Sequence, residues 1–81
     1  MPSDKLSTII AALSEVEQDS TVPRNIKEKI QKTIENLKGE SDLSIKVDKA
    51  LQELDEIADD INLQAYTSTQ IWNLVSMLEK I

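Results

Sequence analysis

Neither histidine nor cysteine occurs among the 81 residues of this chain. Without cysteine there is no disulfide, no thiolate nucleophile and no cysteine-ligated zinc. Without histidine, the side chain that most often moves protons at neutral pH and most often ligates metals is missing as well. Phenylalanine is also absent, and there is one tryptophan, one tyrosine, one glycine and two prolines. Strands draw on β-branched and aromatic side chains, so this poverty points to helices. No apolar run approaches the roughly 20 residues that cross a bilayer, and no charged segment followed by an apolar one opens the chain. The expectation is a soluble, cytoplasmic protein without a membrane-spanning segment. The net charge of −6 offers no positive footprint for nucleic acid or anionic lipid.

What the chain does have, it has twice. Sliding the sequence by about 41 positions brings Asp19 over Asp60, Ile30 over Ile71, Ile34 over Val75 and Leu37 over Leu78. The same shift lays Leu6, Ile10, Leu13 and Val16 over Val47, Leu51, Leu54 and Ile57. Two apolar ladders separated by a turn make a helical hairpin, so the chain is two such hairpins, residues 4–38 and 42–80. At this length folding buries only about 60% of the unfolded surface, which leaves room for one small core and a single domain spanning residues 1–81.

The first helix is expected from Asp4 to Gln18, capped by Ser3 or Asp4, with Leu6, Ile9, Ile10, Leu13 and Val16 on one stripe. Pro23 restricts Val22 to extended backbone and belongs in a first helical turn, which puts the boundary between Thr21 and Arg24. The second helix runs to Lys38, and Gly39 has the pattern of a left-handed C-terminal cap. The third begins between Ser41 and Ser44 and reaches Asp59, with Leu43, Val47, Ala50, Leu51, Leu54, Ile57 and Ala58 as its stripe and Ile45 opposite. The fourth starts after Asn62 as N-cap and turns Leu63, Thr67, Ile71, Leu74, Val75 and Leu78 inward. Short connections favour antiparallel neighbours, hence an all-α, antiparallel four-helix up-and-down bundle. A HEAT-like pair of stacked hairpins is the rival description, although such arrays normally need three or more units.

Two runs, Thr21-Val22-Pro23-Arg24-Asn25 and Thr69-Gln70-Ile71-Trp72-Asn73, together with the length, resemble a family of short, uncharacterised archaeal proteins. The resemblance spans essentially the whole chain. It implies an all-helical four-helix domain in archaeal cytosol and no established activity. In that family a proline often stands at the position of Gln64 and a basic residue or histidine near Tyr66, and this chain departs at both.

Charge is unevenly spread. Residues 21–38 carry Arg24, Lys27, Lys29, Lys32 and Lys38 against two glutamates, whereas residues 40–60 carry eight acidic side chains against two lysines. Neighbouring helices of opposite sign attract, which accounts for both runs. If helix 2 instead faced a partner, Arg24, Lys27, Lys32 and Lys38 would serve an RNA-binding or ribosome-associated protein with steeply salt-dependent affinity. The acidic pairs Asp55 with Asp59 and Glu56 with Asp60 could hold a hard cation in a carboxylate metal enzyme. Such sites in bundles recruit several helices and usually histidine, so no metal, cofactor or catalytic residue is expected. Nor is there a glycine-rich phosphate loop or other small-molecule motif.

Arg24 and Asn25 open helix 2, where a cation opposes the helix dipole. Asp59 and Asp60, at the same pole of an up-down bundle, are the natural partners of Arg24; the alternative is a binding role, which makes Arg24 and Asn25 candidates for contact with a partner. Helix 4 is the unusual element, with no charge between Asp60 and Glu79. Trp72 lies about 130° from the centre of its apolar stripe, and Tyr66 and Met77 also fall off it. Trp, Tyr and Met are enriched in interfaces while Lys and Glu are depleted. Trp72, Asn73, Tyr66 and Met77 are therefore candidates for contact with an unknown protein partner or a second copy of the chain. Equally, Trp72 could fold over a neighbouring helix as a lid on a small core.

Overall fold

The computed structural model describes residues 2–81, with side chains from residue 5 onward. It contains four helices, α1 (Pro2–Gln18), α2 (Arg24–Lys38), α3 (Leu43–Ala58) and α4 (Ala65–Glu79). Each packs on the next and α4 returns to α1, so the helices form a closed ring. This closure makes the chain an up-and-down bundle rather than an open stack of hairpins. The molecule measures 33 × 19 × 19 Å. α1 begins two residues before the expected Asp4, and the side chains of Ser3 and Asp4, expected as caps, lie outside the described ones.

The core collects the expected ladders. Ile9, Leu13, Ile26, Ile30, Ala50, Leu54, Ile57 and Ile71 are fully buried, and Leu37 and Leu78 nearly so. Thr33 is buried within this ladder because its hydroxyl donates to the Lys29 carbonyl one turn back, at 3.0 Å. Val22 was not on any expected stripe, yet only 4% of it is exposed. It occupies the same place in the first hairpin turn as Leu63 in the second, and both plug one pole of the bundle.

The two turns repeat the sequence echo atom by atom. Asp19 Oδ1 accepts from the Thr21 backbone N–H at 2.9 Å, and Asp60 Oδ1 accepts from the Asn62 N–H at 2.8 Å. The Val22 and Leu63 amides then donate to the carbonyls of Asp19 and Asp60, each at 3.1 Å. These are Asx turns, in which an aspartate side chain imitates the backbone of a tight turn. The Asp19 carboxyl is held below the ordinary aspartate range, first by the Thr21 backbone N–H and next by the Thr21 hydroxyl.

The second turn corrects the expected start of helix 4. Asn62 is not its cap, because the Asn62 amide is engaged by Asp60 and the helix opens two residues later with Gln64 at the N-cap position. Gln64 stands where the repeat places Pro23, with backbone angles of −64° and 146° against −57° and 148° for Pro23. A proline is therefore compatible with the Gln64 backbone, whose φ already matches the value a proline ring imposes. Gln64→Pro is expected to raise stability by about 0.4–1 kcal/mol through a less flexible unfolded chain. Urea unfolding reads this directly, and a loss of stability would show that the Gln64 N–H is needed.

The join between the hairpins is also corrected. Gly39 is not left-handed: its φ of −68° and ψ of 176° are extended backbone, and a Cβ there would come within 3.2 Å of the Asn36 carbonyl oxygen. The turn is closed by side chains instead. Lys46 Nζ donates to the Gly39 carbonyl at 3.0 Å, and Asn36 Nδ2 donates to the Lys46 carbonyl at 3.1 Å. With the Gly39 carbonyl satisfied from α3, the chain needs no left-handed residue to end α2.

Candidate functional site

The opposite charges of α2 and α3 meet across their seam. Lys29 and Lys32 line a depression of about 90 Å³ together with Glu53 and Glu56. One carboxylate oxygen of Glu53 is buried there without a hydrogen-bond partner. Two of the five basic side chains of the 21–38 run thus face acidic neighbours, which draws down the positive footprint an RNA ligand would need. Among the described residues no three acidic side chains converge to hold a metal ion. No helix among the described residues is long and apolar enough to cross a membrane.

At the opposite pole, Arg24 and Asn25 are exposed at the start of α2. The expected partnership of Arg24 with Asp59 and Asp60 does not form among the described residues. Asp60 is committed to its own turn, where Oδ1 caps the Asn62 amide, and the Asx geometry holds the carboxylate there. Lys27, one turn into α2, is instead the cation whose field reaches Asp19.

The candidates on α4 divide between its two flanks. Thr67, Ile71, Leu74 and Leu78 face the core, and Ser68 ties the helix to α3 by donating its hydroxyl to the Ala58 carbonyl at 2.7 Å. On the α3 flank, Trp72 is 42% exposed, and its indole N–H makes no hydrogen bond among the described residues. Tyr66 is 71% exposed on the α1 flank. Asn73, also exposed, lines a shallow groove of about 190 Å³ against Ala12, Glu15 and Val16 of α1. Met77 departs from expectation: it is half-buried and packs against the core cluster. Its place at the edge of the stripe lets the long, flexible thioether fold inward where a rigid ring would not. The candidates thus form no single cluster; they flank an uncharged outer surface made by Ala65, Thr69 and Ser76.

Leu43 and Ile45, at the start of α3, are further exposed apolar side chains, 43% and 57% accessible. Leu43, expected on the inward stripe, opens instead onto a groove beside α4. Sequence periodicity misses this because a groove at a helix end depends on where the neighbouring helix stops.

Residues 1–81 match the uncharacterised protein family UPF0147 along their whole length. The chain belongs to the UPF0147 family. It is 38% identical over 81 residues to UPF0147 protein MJ1419 of Methanocaldococcus jannaschii, covering 99% of this chain and 87% of that relative. It is 33% identical to a UPF0147 protein of Archaeoglobus fulgidus, covering 100% of this chain and 93% of the relative. A crystal structure described as that of the unknown function protein MMP1188 superposes with a TM-score of 0.94 at 41% identity. It is covered to 93% by this chain, all of which is aligned. The resemblance to a family of short, uncharacterised archaeal proteins is therefore right, and the four-helix fold described above is shared with the MMP1188 structure.

Proposed function

We propose that this UPF0147 protein is a cytoplasmic, non-enzymatic interaction module that binds another protein, or a second copy of itself, through α4. The observation that carries this reading is the tryptophan of an aromatic-poor chain, 42% exposed on a helix whose outer face bears no charge. Solvent exposure of a large ring is unfavourable in isolation, at about 25 cal/mol per Å² of apolar surface. Interfaces concentrate such rings and exclude lysine and glutamate.

The competing role for Trp72 is a lid on the core, and the two roles differ in what truncation does to the isolated chain. Trp72→Ala should lower the unfolding free energy of the monomer by less than about 1 kcal/mol, as expected of a surface position. A loss of about 3–5 kcal/mol would identify the ring as core and overturn the reading. Sedimentation equilibrium across dilution then distinguishes self-association from a foreign partner. A dimer that dissociates with a red shift of the tryptophan emission places Trp72 in a self-interface. A monomer with red-shifted emission assigns the surface to a different protein.

A further inference from the structure

A depression of about 410 Å³ lies in the seam between α3 and α4, at the pole where α4 ends. Leu43, Val47 and Leu51 of α3 line it with Leu78 and Ile81 from the end of the chain. Its charged lining residues are Asp48 and Glu79. No lysine or arginine lines it: Lys46 donates to the Gly39 carbonyl, and Lys49 and Lys80, next to the lining residues Asp48 and Glu79, are exposed and outside the lining. The groove is therefore apolar with an acidic rim.

Trp72 precedes Glu79 by seven residues, about two helical turns, and so stands on the same flank of α4. Asp55 follows Asp48 by the same interval on α3. The apolar lining from Leu43 to Leu51 runs along about two turns of α3. Such a groove, edged by Asp48 and Glu79, fits an amphipathic helix whose anchors recur at i, i+3 or i+4 and i+7.

Charge decides the occupant. Two copies meeting through this seam would set Asp48, Asp55 and Glu79 of one against those of the other, and like charges across an interface are strongly disfavoured. The basic helix of the chain itself, α2, spends its apolar stripe in the core, with Ile26, Ile30 and Leu37 buried. It is not free to fill the groove of a second molecule. We propose that the α3–α4 groove docks an amphipathic helical segment of a different protein, with aliphatic anchors flanked by lysine or arginine. This rests on the reading of α4 as an interaction surface and gives the partner its chemistry.

The test titrates the ¹⁵N-labelled full chain with a synthetic helical peptide of about 18 residues, leucine on one face and lysine on the other. A leucine and glutamate peptide of the same pattern is the control. The expected result is saturable shifts centred on residues 43–51 and 78–81 with the lysine peptide and none with the glutamate peptide. Asp48→Lys with Glu79→Lys should weaken binding by about tenfold or more, because cationic side chains would then face each other. Glu28→Lys with Glu35→Lys changes the net charge equally at exposed sites on α2 and should leave affinity within about twofold, since surface charges beyond a Debye length are screened. Equal weakening by both pairs would reduce the effect to overall charge and overturn the proposal. So would absence of binding by the lysine peptide. Shifts confined to Tyr66, Thr69 and Asn73 would overturn the groove while leaving α4 as the interaction surface. Failure of that broader reading shows separately, in the stability of Trp72→Ala.

Discussion

Leu54→Ala is expected to lower the unfolding free energy by about 2–5 kcal/mol, the cost of deleting a buried leucine and leaving its cavity behind. Leu54 has no exposed surface and sits one turn before the end of α3, the helix that packs on both α2 and α4. A chain of this size has a stability of roughly 4–12 kcal/mol, so this substitution removes a large part of it. Leu51, one turn earlier, provides an internal comparison. It is half-buried because one side opens onto the α3–α4 groove. Leu51→Ala should cost about half as much, since less apolar area leaves water on folding there. Urea unfolding of both variants, with unchanged dependence on denaturant, checks the pair. Equal losses would mean that the groove is closed in solution. A Leu54 loss below about 0.5 kcal/mol would place the residue on the surface, where substitutions usually fall in that range.

The contrast between Leu54 and Leu51 shows how far periodicity reaches. Both lie on one stripe at helical spacing, and the stripe correctly predicts which face of α3 turns inward. It carries no information on how deeply each position sinks, because depth depends on the neighbouring helix. α4 runs antiparallel and ends beside the start of α3, so the first two turns of that stripe are left partly uncovered. The same limit explains Met77, whose inward fold depends on its flexibility rather than its angle. Arg24 is a different case. Shared polarity at one pole suggested a partnership with Asp60, but the Asx turn had already claimed the carboxylate, as the repeated Asp19 turn implied it would. Gly39 misled for a related reason. Glycine after a lysine matches a left-handed cap, yet Lys46 satisfies the terminal carbonyl from seven residues further along the chain, and the backbone stays extended. Where two readings of the sequence conflicted, the repeat register was the better guide: it aligned Gln64 with Pro23, whereas side-chain propensity alone favoured Asn62.

The repeat also sets the second large expectation, Val22→Asp, which should destabilise the bundle by about 3–5 kcal/mol by placing an uncompensated charge in an apolar site. Val22 is 4% exposed and seals the pole between the hairpin turns, with Leu63, 8% exposed, in the matching position. Asp19 in the same turn adds like charge, and the cations that follow it, Arg24 and Lys27, sit on α2 with Arg24 exposed to solvent. Burial favours the neutral acid, so the introduced carboxyl would titrate higher in the folded chain than in the unfolded one. The destabilisation should consequently be smallest below the unfolded aspartate value, near pH 4, and grow as pH rises towards the folded value. This is opposite in direction to Asp19, whose lowered titration makes its ionised form the one the fold prefers. Thermal unfolding of Val22→Asp and Val22→Asn from acid to neutral pH separates the two contributions. The asparagine variant should lose stability without the added pH dependence, since it carries the polar burial and none of the charge. Leu63→Asp should reproduce both the loss and its pH profile if the two turns are physical as well as sequence repeats. A Val22→Asp variant as stable as the parent at neutral pH would mean that the first turn opens readily, and that Val22 plugs the pole only on average.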